Sequence, residues 1–317
     1  MLLRDCGILP FRTSLSLISV TIMALTACSS ISEHPEWFDA IHRTPIHRAV
    51  VDGHRIAYTD RGDGPPVILV HGFAGSMWQW EYQYPLAASF RVIIPDLLGA
   101  GLSDKPEIDY TPTQFVEFMR GFMDALQIPR ASFVGNSMGA GIVMGMALTH
   151  PERVEKLVLI DGLPDHVREK VTSPSLQRAL GPWPPLWVVE MANWFAGRGT
   201  TRSVLREMIY DDRLITPAVI DRSNRNRHRP GVMKAIRGTV KHLPLWEEGF
   251  ATRFGEIGQP TLVIWGDKDA VFPPAVGVDL HHKIKASEFE LIPEAGHLAM
   301  WERPDVINPR IQTFLKP

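Results

Sequence analysis

A serine between glycines carries the clearest chemical signal in the chain. Residues 135–139 read Gly135-Asn136-Ser137-Met138-Gly139; a short apolar run precedes them and a run of small, helix-compatible residues follows. This order of strand, turn and helix is the setting in which a G-x-S-x-G serine becomes a nucleophile. Both flanking glycines stand where a Cβ would collide with neighbouring chain in such a strained turn. The sequence therefore predicts a nucleophilic serine at position 137, the alternative being a glycine-rich turn with a solvated serine.

A serine hydroxyl is a poor nucleophile at neutral pH and needs a base within hydrogen-bond reach. Histidine suits this role because its pKa lies near the working pH. Of the 12 histidines, His297 has the best setting, since it follows Gly296 in the loop after the last predicted strand. His71 is the rival, but it precedes the loop expected to hold an oxyanion, and we expect it to brace that loop by hydrogen bonds.

The histidine in turn needs a carboxylate that fixes its tautomer and stabilises its charge. Two candidates, Asp267 and Asp269, follow a predicted buried strand, and we assign the role to Asp269 because Asp267 is expected to shape the turn. Asp161 follows another strand and is a third candidate, whereas Asp96 is expected to hold its own loop. The resulting chain order is nucleophile, acid and base, with a long insertion between the first two.

An oxyanion needs preorganised N–H donors. The backbone N–H of Met138, at the start of the predicted helix, is one candidate, and the N–H of Phe73, in the loop after the strand Val67–Val70, is the second. The ring of Phe73 would also exclude water from the site. Loss of one such donor commonly costs ~3 kcal/mol of transition-state stabilisation.

These residues must be positioned by a sheet. Continuous apolar runs that alternate with helix-compatible segments predict an α/β fold with a doubly wound, mostly parallel sheet, whose ligand site lies beyond the carboxyl ends of the strands. The predicted strands are His47–Val51, Arg55–Thr59, Val67–Val70, Arg91–Asp96, Ala131–Val134, Val154–Ile160, Thr261–Trp265 and Glu288–Ile292, and the predicted helices are Pro112–Leu126, Ala140–Leu148 and Pro304–Phe314.

Residues 163–256 interrupt this alternation. An insertion of that length between two late strands is uncommon unless it is functional, so we predict a mostly helical cap over the site. Its tryptophans, among them Trp187 and Trp194, would line an apolar substrate pocket, lie against lipid or form the cap's own core. The basic run Arg222–Arg229 is expected to be a solvated helix face, with the alternative that one arginine binds an anionic substrate.

The first 28 residues predict export and lipid attachment. Two arginines flank a short polar start, and Leu15–Leu25 is an apolar core shorter than the ~20 residues of a membrane span. Leu25-Thr26-Ala27-Cys28 resembles the lipobox of bacterial lipoproteins, which implies cleavage before Cys28, lipid on its sulfur and a membrane-anchored protein of the bacterial cell envelope. The alternative is an ordinary cleaved signal with a chance cysteine.

The predicted organisation has five parts. They are a signal peptide (1–27), a tether (28–44), the first part of the core (45–162), the cap (163–256) and the second part of the core (257–317).

Composition limits the remaining chemistry. The 317 residues carry a formal net charge of −2, which gives no reason to expect nucleic-acid binding. Cys6 and Cys28 are the two cysteines, so nothing from Ser29 onward can form a disulfide or a thiolate metal site. No cluster of histidines and carboxylates has ligand spacing, and we therefore expect neither a metal nor an organic cofactor.

Four segments resemble the α/β-hydrolase fold family, in its serine-nucleophile branch. They are His71-Gly72-Phe73, the turn at residues 135–139, Trp265-Gly266-Asp267-Lys268-Asp269 and Gly296-His297, and the resemblance covers residues 45–317 apart from most of the cap. Two segments, the His71-Gly72-Phe73 loop and Met77-Trp78-Gln79-Trp80, are similar to epoxide hydrolases and haloalkane dehalogenases, which use aspartate where this chain has Ser137. The turn at 135–139 and residues 296–302 resemble carbon–carbon bond hydrolases of aromatic ring-cleavage products.

The resemblance and the residues together predict a hydrolase of small, apolar carboxylic esters that works through an acyl-enzyme. Carbon–carbon bond cleavage by the same residues and lipase activity are the alternatives, followed by a non-catalytic binding protein on this fold. The fold hosts too many chemistries to name a substrate.

Overall fold

The computed structural model describes residues 44–316. Cys28, the predicted signal peptide and the predicted tether up to residue 43 lie outside the described residues. Among the residues described, no helix combines the length and the apolar character that crossing a bilayer would need.

Eight strands form one sheet in the order β1-β2-β4-β3-β5-β6-β7-β8. The pairs β1–β2 and β2–β4 are antiparallel, and every other neighbouring pair is parallel. The strands are β1 (His47–Val51), β2 (His54–Arg61), β3 (Pro66–Val70), β4 (Arg91–Pro95), β5 (Ala131–Asn136), β6 (Val154–Ile160), β7 (Thr261–Gly266) and β8 (Ser287–Ile292). All eight predicted strands are present, within a few residues of their predicted ends.

The continuous apolar strands are explained by burial on both faces. In β3, Ile68 and Val70 contact one hydrophobic cluster, and the alternating residues Val67 and Leu69 contact the other. Because successive side chains of a strand point to opposite faces, a strand covered on both sides must be apolar at every position.

Helices cover both faces of this sheet, as predicted for a doubly wound fold. The core helices are α1 (Pro112–Ala125), α2 (Met138–Thr149), α10 (Pro274–Lys283), α11 (Ala299–Glu302) and α12 (Pro304–Leu315). Helices α1 and α2 pack on one face, and α12 packs on the other through Ile307, Ile311 and Leu315. Helix α10 was not predicted, since Pro274, Gly277 and two valines weaken its helical signal.

The segment between β6 and β7 is helical. It contains α3 (Val167–Lys170), α4 (Pro174–Leu180), α5 (Leu186–Phe195), α6 (Arg198–Met208), α7 (Pro217–Arg227), α8 (Val232–Lys241) and α9 (Pro244–Gly249), with short 3₁₀ turns at Asp212–Leu214 and Ala251–Glu256. We call residues 163–256 the cap. Leu205, Ile209 and Ile220 of the cap belong to the same buried cluster as one face of the sheet, so cap and sheet share a core.

Candidate active site

Ser137 occupies the turn between β5 and α2 in a strained conformation, with φ 52° and ψ −120°. A non-glycine residue there typically costs about 1–3 kcal/mol, which the surrounding structure must supply. A Cβ on Gly139 would lie 2.1 Å from the carbonyl oxygen of Val70, and one on Gly135 would lie 2.6 Å from Ala140 Cα. Both glycines are therefore required for the close packing that holds this turn.

The imidazole of His297 and the carboxylate of Asp269 form a buried pair, in which Nδ1 lies 2.9 Å from Oδ2. The other oxygen, Oδ1, accepts the N–H groups of Val271 at 2.7 Å and Phe272 at 3.1 Å. Because an ionised carboxylate only accepts hydrogen bonds, this contact favours the tautomer with the proton on Nδ1, in which Nε2 can accept a proton. This is the tautomer that a general base requires.

Asn136 joins the nucleophile turn to the histidine loop. Its side-chain amide donates to the carbonyl oxygens of His297 and Ile160, each at 3.1 Å. The two loops are thereby held side by side at the carboxyl edge of the sheet. Within residues 44–316 the Ser137 hydroxyl makes no hydrogen bond to the His297 ring, and such contacts commonly tighten only when substrate binds.

The loop after β3 passes directly against Ser137, because a Cβ on Gly72 would lie 3.3 Å from the serine Cβ. The loop closes as a turn in which Gly75 N–H donates to Gly72 O at 3.1 Å and Ala74 has φ 55°. In the part of the chain that the structure describes, no backbone acceptor takes the N–H of Phe73 or of Met138. Their role as oxyanion donors stays a prediction.

His71 braces this loop, as the sequence indicated, because both of its ring nitrogens bond to main chain. Its Nδ1 lies 2.9 Å from Gly72 O, and its Nε2 accepts the N–H of Leu97 at 3.0 Å. Burial lowers the pKa of His71, which keeps the ring neutral and able to accept. Asp96 holds its own loop through the N–H groups of Met77 and Leu102.

Asp161 lies close to the pair but bonds to main chain instead of His297. Its fully buried carboxylate accepts from Gly266 N–H at 2.8 Å and Ala299 N–H at 3.3 Å. Burial, and then the negative charge of Asp269, raise the pKa of Asp161 well above its ordinary range. Asp161 thus links the end of β7, the strand that precedes Asp269, to the segment after His297.

Glu302 was not singled out from the sequence. Its carboxylate accepts the N–H of Gly296 at 2.7 Å and, from the cap, the N–H groups of Tyr210 at 2.8 Å and Asp211 at 3.1 Å. Burial raises its pKa. The sequence feature that could have identified Glu302 is that it is the one carboxylate in the otherwise apolar run that follows His297.

Between cap and core lies a cavity of about 270 Å³. It reaches the oxyanion loop at Phe73 and the residue next to the catalytic histidine candidate, Leu298. Most of its lining is apolar, with contributions from Trp78, Leu176, Trp183, Val204, Met208, Val232, Met233 and Ile236. Such a lining fits an apolar ligand placed against the oxyanion loop.

The expectation of a solvated basic helix face is wrong for Arg222. This residue is buried, and its guanidinium donates to both oxygens of Glu81, at 2.5 and 2.6 Å. It also lies 4.5 Å from the ring centroid of Trp78, and Glu81 accepts the indole N–H of Trp301 at 2.6 Å. Arg222 therefore fixes the cap to the core.

Arg227 lines the cavity. Its guanidinium donates to the side-chain oxygen of Asn193 at 3.0 Å and to the carbonyl oxygen of Ala196 at 2.6 Å. Burial lowers its pKa, and none of the carboxylates in residues 44–316 forms an ion pair with it. Arg227 thus places a positive charge beside a largely apolar chamber.

The geometry agrees with comparisons to known proteins. The family model of the α/β-hydrolase fold matches residues 65–304. A 2-hydroxy-6-oxo-6-phenylhexa-2,4-dienoate hydrolase from Burkholderia cepacia is 29% identical over 85% of this chain and 94% of its own length.

Two solved structures extend the comparison. A meta-cleavage product hydrolase from Pseudomonas fluorescens has a TM-score of 0.73 at 27% identity, covering 84% of this chain and 96% of that one. A bacterial membrane phospholipase A has a TM-score of 0.71 at 25% identity, covering 88% of each chain. The chain is a hydrolase that belongs to the α/β-hydrolase fold family.

Proposed function

We propose that this protein hydrolyses carboxylic esters through an acyl-enzyme on Ser137. The observation that carries the proposal is the buried pair of His297 Nδ1 and Asp269 Oδ2 at 2.9 Å, beside the strained Ser137 turn. A serine presented in this way, with a histidine whose Nε2 is unprotonated, has what acyl transfer requires.

In the proposed reaction, Ser137 Oγ attacks the ester carbonyl while His297 Nε2 takes its proton. The N–H groups of Phe73 and Met138 hold the negative oxygen of the tetrahedral intermediate. His297 then protonates the leaving alkoxide, and a water molecule repeats the sequence to release the acid. Asp269 stabilises the imidazolium in both half-reactions.

The cavity supports a small, apolar ester as substrate. Its volume of about 270 Å³ and its apolar lining favour an uncharged acyl or alcohol group that extends away from Phe73. The likeness to a membrane phospholipase A supports ester chemistry on this fold, since a phospholipase A cleaves a carboxylic ester.

Ser137→Ala tests the nucleophile. The variant should fold like the wild type, while its turnover of a p-nitrophenyl ester falls by several orders of magnitude. A fluorophosphonate probe should label the wild-type protein at Ser137 and leave the variant unlabelled. Retained turnover, or a wild type that the probe does not label, would remove Ser137 from the mechanism.

Carbon–carbon bond hydrolysis is the second candidate, and Arg227 favours it. The substrate named for the Burkholderia relative carries a carboxylate at one end and an apolar phenyl ketone at the other, and a cavity with one cation in an apolar lining would accommodate both parts. A vinylogous diketone acid assayed beside a p-nitrophenyl ester would separate the two reactions. Under this candidate, Arg227→Gln raises KM for the acid at least tenfold and leaves KM for the neutral ester nearly unchanged.

Membrane attachment belongs to the same proposal. The segment Leu25-Thr26-Ala27-Cys28 supports lipid on Cys28, which would hold the hydrolase at the surface of a bacterial membrane. An enzyme in that position would meet apolar esters where they are most concentrated.

A further inference from the structure

Helix α5 presents an unusual surface. Its four most exposed large side chains are Trp187 (66%), Met191 (50%), Trp194 (79%) and Phe195 (80%), and none of its residues is buried. They make up four of the ten exposed large apolar side chains found in residues 44–316. Scattered apolar side chains on a surface are ordinary, but a cluster on one short helix marks an interaction site.

The spacing places all four on one side of the helix. Positions i, i+4, i+7 and i+8 fall within an arc of roughly 100° when each residue turns the helix by about 100°. We call this side, formed by Trp187, Met191, Trp194 and Phe195, the apolar face of α5.

Polar contacts hold the other side of α5 to the cap. Arg227 donates to Asn193 Oδ1 and Ala196 O, and His228 Nε2 lies 2.8 Å from Asn193 O. These cationic or donor groups sit at the carboxyl end of the helix, where the helix dipole favours them. The helix is therefore fixed in orientation while its apolar face points away from the protein.

Charge around α5 indicates the chemistry of the partner. Residues 174–241, from α4 to α8, contain 12 Lys and Arg against 5 Asp and Glu, whereas the whole chain carries −2. Without Arg222, which is buried against Glu81, and Arg227, which lines the cavity, this segment keeps a net charge of +5, although α5 itself contributes only Glu190. Large tryptophan and phenylalanine side chains favour the interfacial region of a bilayer, and basic residues around them favour an anionic one. A second copy of the chain would bring the same positive charge against itself.

The chain that precedes the structure can also reach a membrane. Cys28 lies 16 residues before Thr44, the first residue described, and such a length spans at most about 55 Å when extended. A lipid on Cys28 would therefore leave this hydrolase within reach of the bilayer surface but would not by itself set which side faces the lipid.

We propose that the apolar face of α5 docks on the surface of an anionic lipid bilayer, with the helix axis parallel to the membrane plane. The indole and phenyl rings lie among the headgroups and upper acyl chains, and arginines of the neighbouring cap helices contact lipid phosphates. The docking orients the cap towards the membrane.

The docked orientation has a consequence for the cavity. Arg227 both lines the cavity and holds the carboxyl end of α5. The membrane-facing helix and the chamber thus share a side chain, so the docked orientation would bring the chamber close to the bilayer.

The test uses the full chain on vesicles of phosphatidylglycerol and phosphatidylcholine whose acyl chains carry bromine, a contact quencher of indole fluorescence. The wild type should be quenched, and Trp187→Phe/Trp194→Phe should lose at least nine-tenths of that quenching while keeping its turnover of a soluble ester. Trp37→Phe, which alters a tryptophan before the described residues, is the matched control and should remain quenched. Replacing phosphatidylglycerol by a zwitterionic lipid should weaken quenching at least twofold.

Several results would overturn the proposal. One is undiminished quenching in the double variant, and another is loss of quenching in Trp37→Phe, which would move the contact to the N-terminal segment. Equal quenching on purely zwitterionic vesicles would show that the partner is not specifically an anionic bilayer. An absence of quenching, combined with concentration-dependent dimers that the double variant no longer forms, would assign this face to a second copy of the chain.

Discussion

Glu302 Oε1 accepts the backbone N–H of Gly296 at 2.7 Å, one residue before His297. The second oxygen of the same carboxylate accepts two N–H groups of the cap, from Tyr210 and Asp211. One buried side chain therefore fixes the position of the loop that carries His297 relative to the cap. The arrangement makes Glu302 a positioning residue, which does not itself reach the reacting atoms.

Glu302→Gln should lower kcat by about 10- to 100-fold with little change in KM, because a glutamine has one acceptor oxygen where the carboxylate has two. In the variant, the amide NH₂ would face a backbone N–H, and two donors cannot form a hydrogen bond, so the loop would shift. A displacement of ~1 Å is enough to lower kcat by this amount. Steady-state kinetics on a p-nitrophenyl ester measure it. Glu294→Gln changes an exposed carboxylate of the same loop and should behave as wild type. A wild-type kcat in Glu302→Gln would refute the positioning role.

Asp269→Asn should reduce kcat by about 10⁴-fold while the fold is retained, because an amide NH₂ can face His297 Nδ1 only if that nitrogen gives up its proton. The ring would then carry its proton on Nε2 and could not act as a base. Asp267→Asn is the matched control, since the Asp267 carboxylate pairs with Lys268 at 2.8 Å and not with the histidine. If the two variants lost activity equally, the assignment of Asp269 would be wrong.

Asp161 should make stability depend on pH. Its pKa is raised in the folded state above its ordinary value of 3.8, so between those two values the folded protein retains a proton that the unfolded chain releases. The free energy of unfolding then falls as pH rises through this window, by about 1.4 kcal/mol for each unit. Asp161→Asn lacks this titration, so its free energy of unfolding should rise relative to that of wild type as the pH increases above 4 through this window.

Denaturant unfolding at pH 4, 5.5 and 7 measures the Asp161 effect. Asp63→Asn, at an exposed carboxylate, serves as the control and should follow the wild-type profile. Parallel profiles for Asp161→Asn and wild type would show that Asp161 titrates alike in the folded and unfolded states.

Cys28→Ala should release the protein from membranes with its specific activity unchanged, because lipid attached to that sulfur is the proposed anchor. Fractionation of cells that produce either form, followed by ester assay of both fractions, measures the change. Cys6→Ala should leave the wild-type distribution intact, since Cys6 lies within the segment expected to be removed. Undiminished membrane partitioning of Cys28→Ala would contradict the lipid anchor.

The sequence predicts Ser137 and Asp269 because each follows a strand of continuous apolar residues, and His297 because it follows Gly296 in the loop after the last predicted strand. Parallel strands bring their carboxyl ends to one edge of the sheet, so residues far apart in sequence are predicted to lie close together there. The choice between Asp269 and Asp267 rested on the expected turn, and the structure places Asp269 alone against the histidine.

The sequence alone does not predict the contacts between cap and core. The sequence predicts Arg222 in solvent because five basic residues stand within positions 222–229, yet its partner Glu81 stands 141 residues earlier. Which charge of a run is buried depends on how the helix lies on the sheet, and periodicity does not encode that. The role of Glu302 was missed for the same reason, since its partners in the cap are more than 90 residues away.

The Arg222–Glu81 pair makes cap and core depend on each other at this contact. Removing one partner of a buried ion pair commonly costs 3–5 kcal/mol, because the remaining charge stays buried without compensation. Neither position should therefore tolerate a neutral substitution while the other keeps its charge, so the two residues constrain each other's evolution although 141 positions separate them.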